Sequence, residues 1–374
     1  MKKIVYWSPI VSKIATYNAV INSAKSLKKY SNNYDVSIIN TIGEYDELIN
    51  NNDNINLINF HKVKKKYYGS GFWKTRFSYL KIFLNNFYKL KSFLDREKPD
   101  VLIIHLVTSL PLVLLILFNF KTKFILRISG LPKMNFFRSL LWKLSLKKIY
   151  HVISPTENTK KFLLKLNLID KNRISTVYDP IIQVNKQKKL IKENIEYKNY
   201  FISIGRLTKQ KNFIFLIKAF NSFYKENLIN EKLLILGEGE QKNEMKKLIN
   251  LYKLNDKIIL LGYKKNVHKY LNNSKAFILS SLWEDPGFVL IEAAFCRASI
   301  ISSDCESGPL EFMKNKNNGF LFESNSQESL KKTLLNFKNL DKEKINIKKK
   351  NALIETRNFT LIKHFKDLNF ILSI

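Results

Sequence analysis

Short apolar runs alternate with longer amphipathic segments along the first half of the chain. The apolar runs have the length of buried strands, and the segments between them repeat apolar positions at helical spacing. The predicted strands are Lys3–Tyr6, Val36–Asn40, Asn56–Phe60, Val101–Ile104, Phe124–Ile128 and His151–Ser154, and the predicted helices are Ala15–Tyr30, Phe77–Asp95, Asn135–Leu146 and Glu157–Leu166. This alternation predicts a parallel sheet with helices on its faces.

The same rhythm restarts after a polar, lysine-rich stretch at Pro180–Tyr200, whose composition suits a linker. Beyond it, the pattern predicts strands at Tyr200–Ile204, Lys232–Leu236, Ile258–Leu261, Ala276–Ser280 and Ser299–Ser302, with helices at Asn212–Lys225, Glu240–Leu251, Val267–Asn273 and Gly287–Cys296. We therefore predict an α/β chain of two Rossmann-like, doubly wound parallel-sheet domains that face a cleft. The predicted boundaries are a first domain at 1–180, a linker at 181–199, a second domain at 200–357, and a C-terminal helix at 358–374 that packs back on the first domain.

One stretch, Val101–Phe120, also fits a different structure, a membrane-spanning helix. It has no charged residue and the length of a membrane span. A strand, a short loop and a helix that begins at Pro111 explain it without lipid, because proline is well tolerated in the first turn of a helix. We favour that interpretation, and a greasy helix that dips into a membrane face stays open as the alternative. The basic start MKKIVYWSPI is interpreted as the first buried strand and not as a secretory leader.

Charge and cysteine usage narrow the class of protein. The chain has 64 Lys and Arg against 31 Asp and Glu, a net charge of +33. Such a surface attracts phosphates, nucleic acid or anionic lipid. Codon bias is an alternative cause, since Gly (11) and Pro (8) are scarce while Lys, Asn and Ile are abundant. Cys296 and Cys305 are predicted to be buried free thiols of a protein in a reducing compartment.

Candidate chemistry follows the strands of the second half. Gly205 and Arg206 come directly after the first of these strands, and Lys211 follows five residues later. Gly237 and Gly239 flank Glu238 after the next strand, where glycines permit a tight turn close to a ligand. After the strand at Ala276–Ser280, Glu284 and Glu292 stand eight positions apart around Gly287, which can open a helix. Free backbone amides at Gly287, Phe288 and Val289 would then form a phosphate site.

This arrangement resembles the donor-binding signature of the GT4 family, retaining glycosyltransferases that use nucleotide-sugars and have the GT-B fold. The resemblance extends over nearly the whole chain and is specific from Gly205 to Leu321. It implies that Arg206 and Lys211 hold the nucleotide diphosphate, that Glu284 faces the sugar, and that Glu292 accepts hydrogen bonds from the ribose hydroxyls. Fixed cations stabilise a departing diphosphate more in the transition state than in the ground state.

Two details bear on the sugar. The family commonly has a second glycine and an aromatic residue after the first glutamate, whereas this chain has Asp285 and Pro286, so the sugar pocket is expected to differ in shape. The segment Ser307-Gly308-Pro309-Leu310-Glu311 resembles members that act on glycans containing amino sugars. A UDP-linked HexNAc or hexose is therefore the favoured donor.

The acceptor half carries fewer signals. The family's usual pair of glycines near residue 12 is absent, and its usual histidine after a mid-domain strand is replaced by Ser129 and Gly130, next to Arg127. His105, at the end of the preceding strand, is the nearest substitute, although a lone histidine among Ile and Leu is more often a buried structural residue. We include His105, Arg127, Ser129 and Gly130 as acceptor-side candidates, with His105 also a candidate catalytic group.

His61–Arg76 interleaves cations and aromatic residues ahead of an amphipathic helix. This composition suits an anionic membrane surface, where a polyprenyl-diphosphate-linked acceptor would wait. Single-stranded nucleic acid or a solvated loop are the alternatives. We expect a cytoplasmic protein, peripheral at the inner face of the cell membrane, whose partners are a nucleotide-sugar, a lipid-linked glycan and the membrane, with no nucleic acid expected.

The resulting prediction is a metal-independent hexosyltransferase of surface polysaccharide or glycan assembly. The resemblance implies that the leaving phosphate itself takes the acceptor's proton, so no cofactor is expected beyond the nucleotide-sugar cosubstrate. No clustered Asp-x-Asp or His and Cys spacing suggests a metal site. The alternatives are a nucleotide-sugar 2-epimerase and, outside enzymes, a basic nucleic-acid-binding protein, which lacks any recognised nucleic-acid module.

Overall fold

A computed structural model describes residues 1–10, 16–49, 54–61 and 72–374. The chain divides into two compact units, which we call unit 1 (Met1–Ile181 with Leu361–Ile374) and unit 2 (Ile182–Thr360). Each unit holds a parallel sheet with helices on its faces, so the predicted pair of Rossmann-like α/β domains is confirmed. The predicted loop His61–Arg76 lies mostly outside the described residues.

Unit 1 is built on a parallel sheet in which seven strands are described. The strands follow the order β3-β2-β1-β4-β5-β6-β7, and Ile4 of β1 is opposite Val36 on one side and Val101 on the other. The bounds are β1 Lys2–Trp7, β2 Tyr34–Asn40, β3 Asn56–Asn59, β4 Val101–Ile104, β5 Lys123–Arg127, β6 His151–Ser154 and β7 Ile174–Thr176. Strands β2 and β3 thus lie on one side of β1, and β4 to β7 lie on its other side.

Two hydrophobic cores cover the two faces of this sheet, because successive side chains of a strand point to opposite faces. Ile4 and Tyr6 belong to one core and Val5 and Trp7 to the other. The helices of unit 1 are α1 Thr16–Tyr30, α2 Phe72–Glu97, α3 Ser109–Leu117, α4 Phe136–Ser145, α5 Glu157–Lys165 and, after unit 2, α14 Leu361–Ser373. Helices α1 and α14 pack on the first core, and α2, α3 and α4 pack on the second.

The uncharged stretch Val101–Phe120 forms strand β4 and helix α3, as the favoured interpretation predicts. The helix has nine residues. Throughout the part of the chain that the structure describes, no helix combines the length and the apolar character needed to cross a membrane.

Unit 2 repeats the same plan with strands in the order β10-β9-β8-β11-β12-β13. Counted from β8, this is the 3-2-1-4-5-6 order of a dinucleotide-binding sheet. The strands are β8 Tyr200–Ile204, β9 Lys232–Leu236, β10 Ile258–Gly262, β11 Ala276–Leu279, β12 Ser299–Ser303 and β13 Phe320–Phe322. The helices are α6 Val184–Ile191, α7 Phe213–Lys225, α8 Lys242–Leu251, α9 His268–Asn272, α10 Phe288–Phe295, α11 Gly308–Met313, α12 Gln327–Asn339 and α13 Lys342–Glu355.

The segment predicted as a linker, 181–199, is instead partly helical and belongs to unit 2. Helix α6 packs against α9, and the Asn266 side-chain amide donates to the Leu190 carbonyl at 2.9 Å. Gln187 is buried on the inner side of α6, while the lysines of the segment extend toward solvent. The lysine-rich composition therefore marks the outer face of a packed helix and not an unstructured connection.

Candidate functional site

The carboxyl edge of the unit 2 sheet has a crevice where β8 and β11 are neighbours. Phe201 pairs with Ala276, while the connections that leave these two strands run to β9 on one side and β12 on the other. Ligands of open parallel sheets bind outside the carboxyl ends of the strands at such a point. The loop after β8, residues 205–212, and the loop after β11, residues 280–287, are therefore the elements that a ligand would meet.

Hydrogen bonds join these two loops along their length. The Leu282 amide donates to the Gln210 carbonyl at 2.8 Å, and the Ser280 hydroxyl donates to the Lys211 carbonyl at 2.8 Å. The Gln210 side-chain amide donates to the Trp283 carbonyl at 2.9 Å. The residues between the strands are thus held as one rigid frame.

Within this frame, Lys211 and Glu284 form a buried ion pair. The Lys211 ammonium donates to Glu284 Oε1, and the two side chains are only 13% and 8% exposed. The Ser281 hydroxyl donates to the same carboxylate oxygen at 2.7 Å. Removing two charges from water is costly unless each is paired and hydrogen-bonded, so this arrangement fixes a cation and a carboxylate side by side at the crevice.

Two glycines shape this frame, and glycine is required at Gly237, where a side chain would meet backbone. A Cβ atom at Gly205 would lie 2.8 Å from Cε of Lys211, whose side chain runs across this residue. A Cβ atom at Gly237, which has φ of +146°, would lie 1.9 Å from the Gly205 carbonyl oxygen. Gly237 therefore lets the loop after β9 press against the loop after β8, and its role in the structure is to position Gly205.

Arg206 lies exposed beside the ion pair. Its guanidinium donates to Gln210 Oε1 at 3.4 Å, and Gln210 is the residue whose side chain bonds the Trp283 carbonyl. The structure thus places Arg206 and Lys211 on one loop, one cation facing solvent and the other paired. Such a pair of cations can neutralise a diphosphate.

Helix α10 begins at this edge with Gly287 as its N-cap. Gly287 has φ of +88°, and the first hydrogen bond of the helix runs from the Leu290 amide to the Gly287 carbonyl at 3.0 Å. The amides of Gly287, Phe288 and Val289 precede this ladder, and such amides form an anion site at a helix N-terminus. The Gly308 amide donates to the Glu284 carbonyl at 3.4 Å, which holds the loop ahead of the helix.

Glu292 lies further along α10 and is partly buried. Burial raises its pKa from 4.5 to about 7, so that the neutral acid is favoured in the ligand-free protein at neutral pH. Hydrogen-bond donors that reach this carboxyl group would favour its charged form. Ribose hydroxyls are donors of that kind.

Sequence reasoning missed two groups of this site, Ser281 and Gly308. Ser281 follows β11 directly, and its position after a predicted strand was the available signal. A Cβ atom at Gly308 would lie 2.1 Å from the Pro286 carbonyl oxygen, so only glycine fits there. Gly308 belongs to the Ser-Gly-Pro segment. Nothing in that sequence shows that the Gly308 backbone lies against the backbone of Pro286.

The acceptor-side candidates lie at the carboxyl edge of the unit 1 sheet. The Ser129 hydroxyl donates to the His105 carbonyl at 3.1 Å, which brings the ends of β4 and β5 together. The His105 ring is buried beside Tyr6 with ring centroids 5.8 Å apart. Burial, together with the nearby charge of Arg127, holds the pKa of His105 well below its usual value. Gly130 directly follows Ser129.

Arg127 is engaged inside unit 1. Its guanidinium pairs with the Asp179 carboxylate and donates to the Ile128 carbonyl at 2.8 Å, and the two charged side chains are 4% and 2% exposed. A buried guanidinium with these partners serves the fold. The structure thus places Arg127, like His105, in the interior of unit 1.

A second buried polar chain anchors α14 in unit 1. His364 Nδ1–H donates to the Tyr178 carbonyl at 2.8 Å, so His364 Nε2 accepts from the Ser23 hydroxyl at 2.8 Å, and Ser23 in turn accepts from the Tyr6 hydroxyl at 2.9 Å. This arrangement requires a neutral imidazole, and burial is the main cause that lowers the pKa of His364.

Among the residues that the structure describes, no group of three or more His, Cys, Asp or Glu side chains could hold a metal ion.

Comparison with known families identifies one match. Residues 185–354 match the model of the family described as glycosyl transferases group 1. These residues span nearly all of unit 2.

Two curated relatives resemble the chain over part of its length. An uncharacterised glycosyltransferase of Methanocaldococcus jannaschii is 35% identical over 252 residues, which are 62% of each chain. A Campylobacter jejuni enzyme, N-acetylgalactosamine-N,N'-diacetylbacillosaminyl-diphospho-undecaprenol 4-alpha-N-acetylgalactosaminyltransferase, is 30% identical over 57% of this chain and 60% of its own length. The chain thus matches about three fifths of the length of these relatives.

A solved structure resembles the whole chain. Anabaena HepE in complex with UDP superposes with a TM-score of 0.72, covers 100% of both chains and is 14% identical. At this identity the likeness establishes the fold, which is that of a two-domain glycosyltransferase.

Proposed function

Since residues 185–354 match the model of the glycosyl transferases group 1 family, which spans nearly all of unit 2, we propose that this chain is a retaining glycosyltransferase of that family. The proposed donor is a nucleotide-sugar, with a UDP-linked HexNAc or hexose favoured. The proposed acceptor is a polyprenyl-diphosphate-linked glycan, in bacterial surface polysaccharide or glycan assembly. The name of the Campylobacter relative describes an acceptor of this kind, and HepE was solved with UDP.

The observation that carries the proposal is the buried pair of Lys211 and Glu284 beside the N-terminus of α10. A nucleoside diphosphate at this edge would meet two cations and three backbone amides, all held before it arrives. Preorganised donors stabilise the charge that develops on a leaving group without further reorganisation. Lys211 and Ser281 both donate to Oε1 of Glu284, so we assign the other carboxylate oxygen of Glu284 to a sugar hydroxyl.

In the proposed reaction the bond between the anomeric carbon and the diphosphate oxygen breaks, and the acceptor oxygen bonds that carbon on the same face. The acceptor's proton passes to the departing phosphate oxygen. Arg206 and Lys211 stabilise the negative charge on the diphosphate, and Glu292 accepts from the ribose hydroxyls. We propose that no resident cofactor or metal takes part, and therefore expect EDTA to leave the rate unchanged.

Calorimetric titration of the full chain with UDP, GDP and ADP tests the donor assignment. We expect tight binding of UDP alone, and we expect Lys211→Ala to weaken it at least about tenfold, because charged hydrogen bonds to phosphate are lost. Glu292→Ala should weaken it about tenfold as well, through the ribose contacts. Lys209→Ala is the matched control, since Lys209 is an exposed lysine of the same loop, and it should bind UDP as the parent does.

Unchanged UDP binding in both Lys211→Ala and Glu292→Ala would overturn the site assignment. Incubation with UDP-HexNAc and no acceptor separates the activities. Conversion of the sugar to its 2-epimer would identify an epimerase, whereas transfer to an undecaprenyl-diphosphate-linked glycan, with the α-linkage retained, is the expected result.

A further inference from the structure

Helix α2 carries two apolar faces, of which only one packs on unit 1. The inner face includes Ile82 and Leu90, which belong to the core over the unit 1 sheet. On the outer face, Phe77, Leu80, Leu84 and Tyr88 are all exposed, and Tyr88 is 79% exposed. These four positions follow the i, i+3, i+7, i+11 spacing of one helical stripe. A water-soluble helix ordinarily places polar residues there.

Helix α4 repeats this feature. Its inner side is anchored by Trp142, a core residue, while Phe136, Phe137, Leu140 and Leu144 are exposed, with Phe137 at 80%. Both α2 and α4 contact α3, so the two outer stripes belong to one helical layer of unit 1. We call the two stripes together the outer apolar face.

The charges around this face have one sign. Between Asn54 and Leu94, and again between Val101 and Thr156, the sequence contains no Asp or Glu. Lys81 and Lys89 lie along α2, and Arg138, Lys143 and Lys147 lie on or just after α4. The Lys81 ammonium is 4.6 Å from the centre of the Phe77 ring, so cations and apolar groups share the same surface.

We propose that the outer apolar face is a docking surface for an anionic lipid bilayer. Exposed Phe and Leu on an interfacial helix insert between lipid headgroups, while the lysine and arginine heads reach the anionic phosphates. The inference requires neither the donor site nor the transfer reaction. It places the membrane contact on α2 and α4, beyond the segment His61–Arg76 that composition alone indicates.

Two other occupants fit the charges less well. Two copies of this chain joined through this face would bring lysines and arginines against each other with no carboxylate from the same segments to pair with them. A single-stranded nucleic acid would satisfy the cations and stack on the aromatic rings, but Leu80, Leu84, Leu140 and Leu144 would gain nothing from it. A bilayer satisfies the cations and the leucines together.

Flotation of the full chain with vesicles tests this surface. Vesicles of phosphatidylcholine alone are compared with vesicles that also contain about one third phosphatidylglycerol, a composition that supplies the negative surface potential. We expect binding to the anionic vesicles, reduced but not abolished at high salt, because the apolar contribution is not screened.

Paired substitutions separate the two contributions. Phe136→Ser with Phe137→Ser should lower vesicle partitioning about tenfold or more, from the lost apolar burial. Lys143→Gln with Lys147→Gln should lower it about fivefold per lysine, on anionic vesicles only. The matched controls are Leu251→Ser and the pair Lys246→Gln with Lys247→Gln, exposed residues of α8 in unit 2, and these should partition as the parent does.

Any one of several outcomes would overturn the proposal. They are absence of binding to anionic vesicles, equal losses in the test and control variants, and a self-associated species in light scattering that the Phe136→Ser, Phe137→Ser variant dissociates. Preferential binding of a single-stranded oligonucleotide over the vesicles would also assign the face to another partner. Chemical unfolding followed by tryptophan fluorescence verifies that unit 1 is folded in these variants, since Trp7 and Trp142 are buried there.

Discussion

The two units share one strand order but differ at their carboxyl edges. In unit 2 the edge presents a cation, a carboxylate and the open N-terminus of α10, arranged around glycines that let loops approach closely. In unit 1 the corresponding edge covers a buried ion pair and a neutral histidine network. The same topology thus supports a charged receptor in one unit and an internally satisfied corner in the other.

This comparison shows that a buried ion pair can serve stability in one place and ligand binding in another. Arg127 and Asp179 have each other and a backbone carbonyl as partners and are almost fully buried. Lys211 and Glu284 are nearly as buried, yet they stand at the switch point of the sheet, where a ligand can reach them. We therefore expect the first pair to govern stability and the second to govern binding.

The largest expected effect is the loss of stability when the buried pair of unit 1 is broken, with UDP binding in unit 2 unchanged. Arg127→Ala should lower the free energy of unfolding of unit 1 by about 3–5 kcal/mol, because a buried carboxylate is left unpaired. Chemical unfolding followed by tryptophan fluorescence reports this loss, since Trp7 and Trp142 are buried in unit 1. The UDP dissociation constant should stay within about twofold of the parent value, whereas Lys211→Ala raises it at least about tenfold.

A double variant controls for the loss of folding. Arg127→Met with Asp179→Leu replaces the pair by apolar groups of similar volume and should recover most of the stability. If this stable variant binds UDP but no longer transfers sugar, Arg127 is an acceptor-side group, as the sequence suggested, and the contrast between the two pairs is wrong.

Acidification should affect unit 1 more than unit 2. Burial lowers the pKa of His105 and His364, and it lowers the pKa of His151 to about 4, so the folded state keeps these rings neutral. The unfolded chain binds protons below about pH 6.5, and stability is therefore lost as the pH falls from 6.5 toward 4. For His151, whose folded-state pKa is about 4, this loss should be about 1–2 kcal/mol between pH 7 and 5.

In unit 2 two groups oppose each other. The pKa of His268 is lowered to about 4, which destabilises the unit in acid, but the pKa of Glu292 is raised to about 7, which stabilises it as the pH falls from 7 to 4.5. Hydrogen exchange at pH 7 and 5, corrected for intrinsic rates, should show weaker protection in β4 and β5 and little change in β8 and β11. Burial also raises the pKa of Glu44 in unit 1, which offsets part of the loss. Equal losses in both units would contradict this account.

The smallest expected effect is the change in pH-dependent stability when the Glu292 carboxyl group is removed. Glu292→Gln should raise the free energy of unfolding by about 1–2 kcal/mol at pH 8, where the parent carries a buried charge, and should leave it unchanged near pH 4.5. Thermal unfolding at the two pH values measures this difference. Glu244→Gln, at an exposed position of α8, should show no such dependence. A gain at pH 4.5 as large as at pH 8 would mean that packing, not charge, is the cause.

The strands were predictable because parallel strands buried on both faces are continuous apolar runs. The exceptions have local causes. Strands β7 and β13 have three residues each, too few for a periodic signal. Helix α6 was interpreted as a linker because its lysines dominate the composition, while the buried position of Gln187 depends on the contact with α9.

The sequence predicted most of the residues that form the candidate site, but it did not predict the contacts between their side chains. Gly205, Lys211, Glu284 and Gly287 each follow a strand or open a helix, which a sequence shows. The bond between Lys211 and Glu284 joins residues 73 apart and depends on β8 and β11 being neighbours. The partner of Arg127, 52 residues away, depends in the same way on the fold of unit 1.

Because helix α14 follows unit 2 in the chain, unit 1 is completed late in translation. The helix supplies Leu368, Ile371 and Leu372 to the core that α1 shares, yet the chain reaches it only after the whole of unit 2. A ribosome therefore releases every residue of unit 2 before the last piece of unit 1 emerges. The nascent chain can complete its second unit first, while the unit that carries the outer apolar face waits for its closing helix and exposes that part of its core to chaperones.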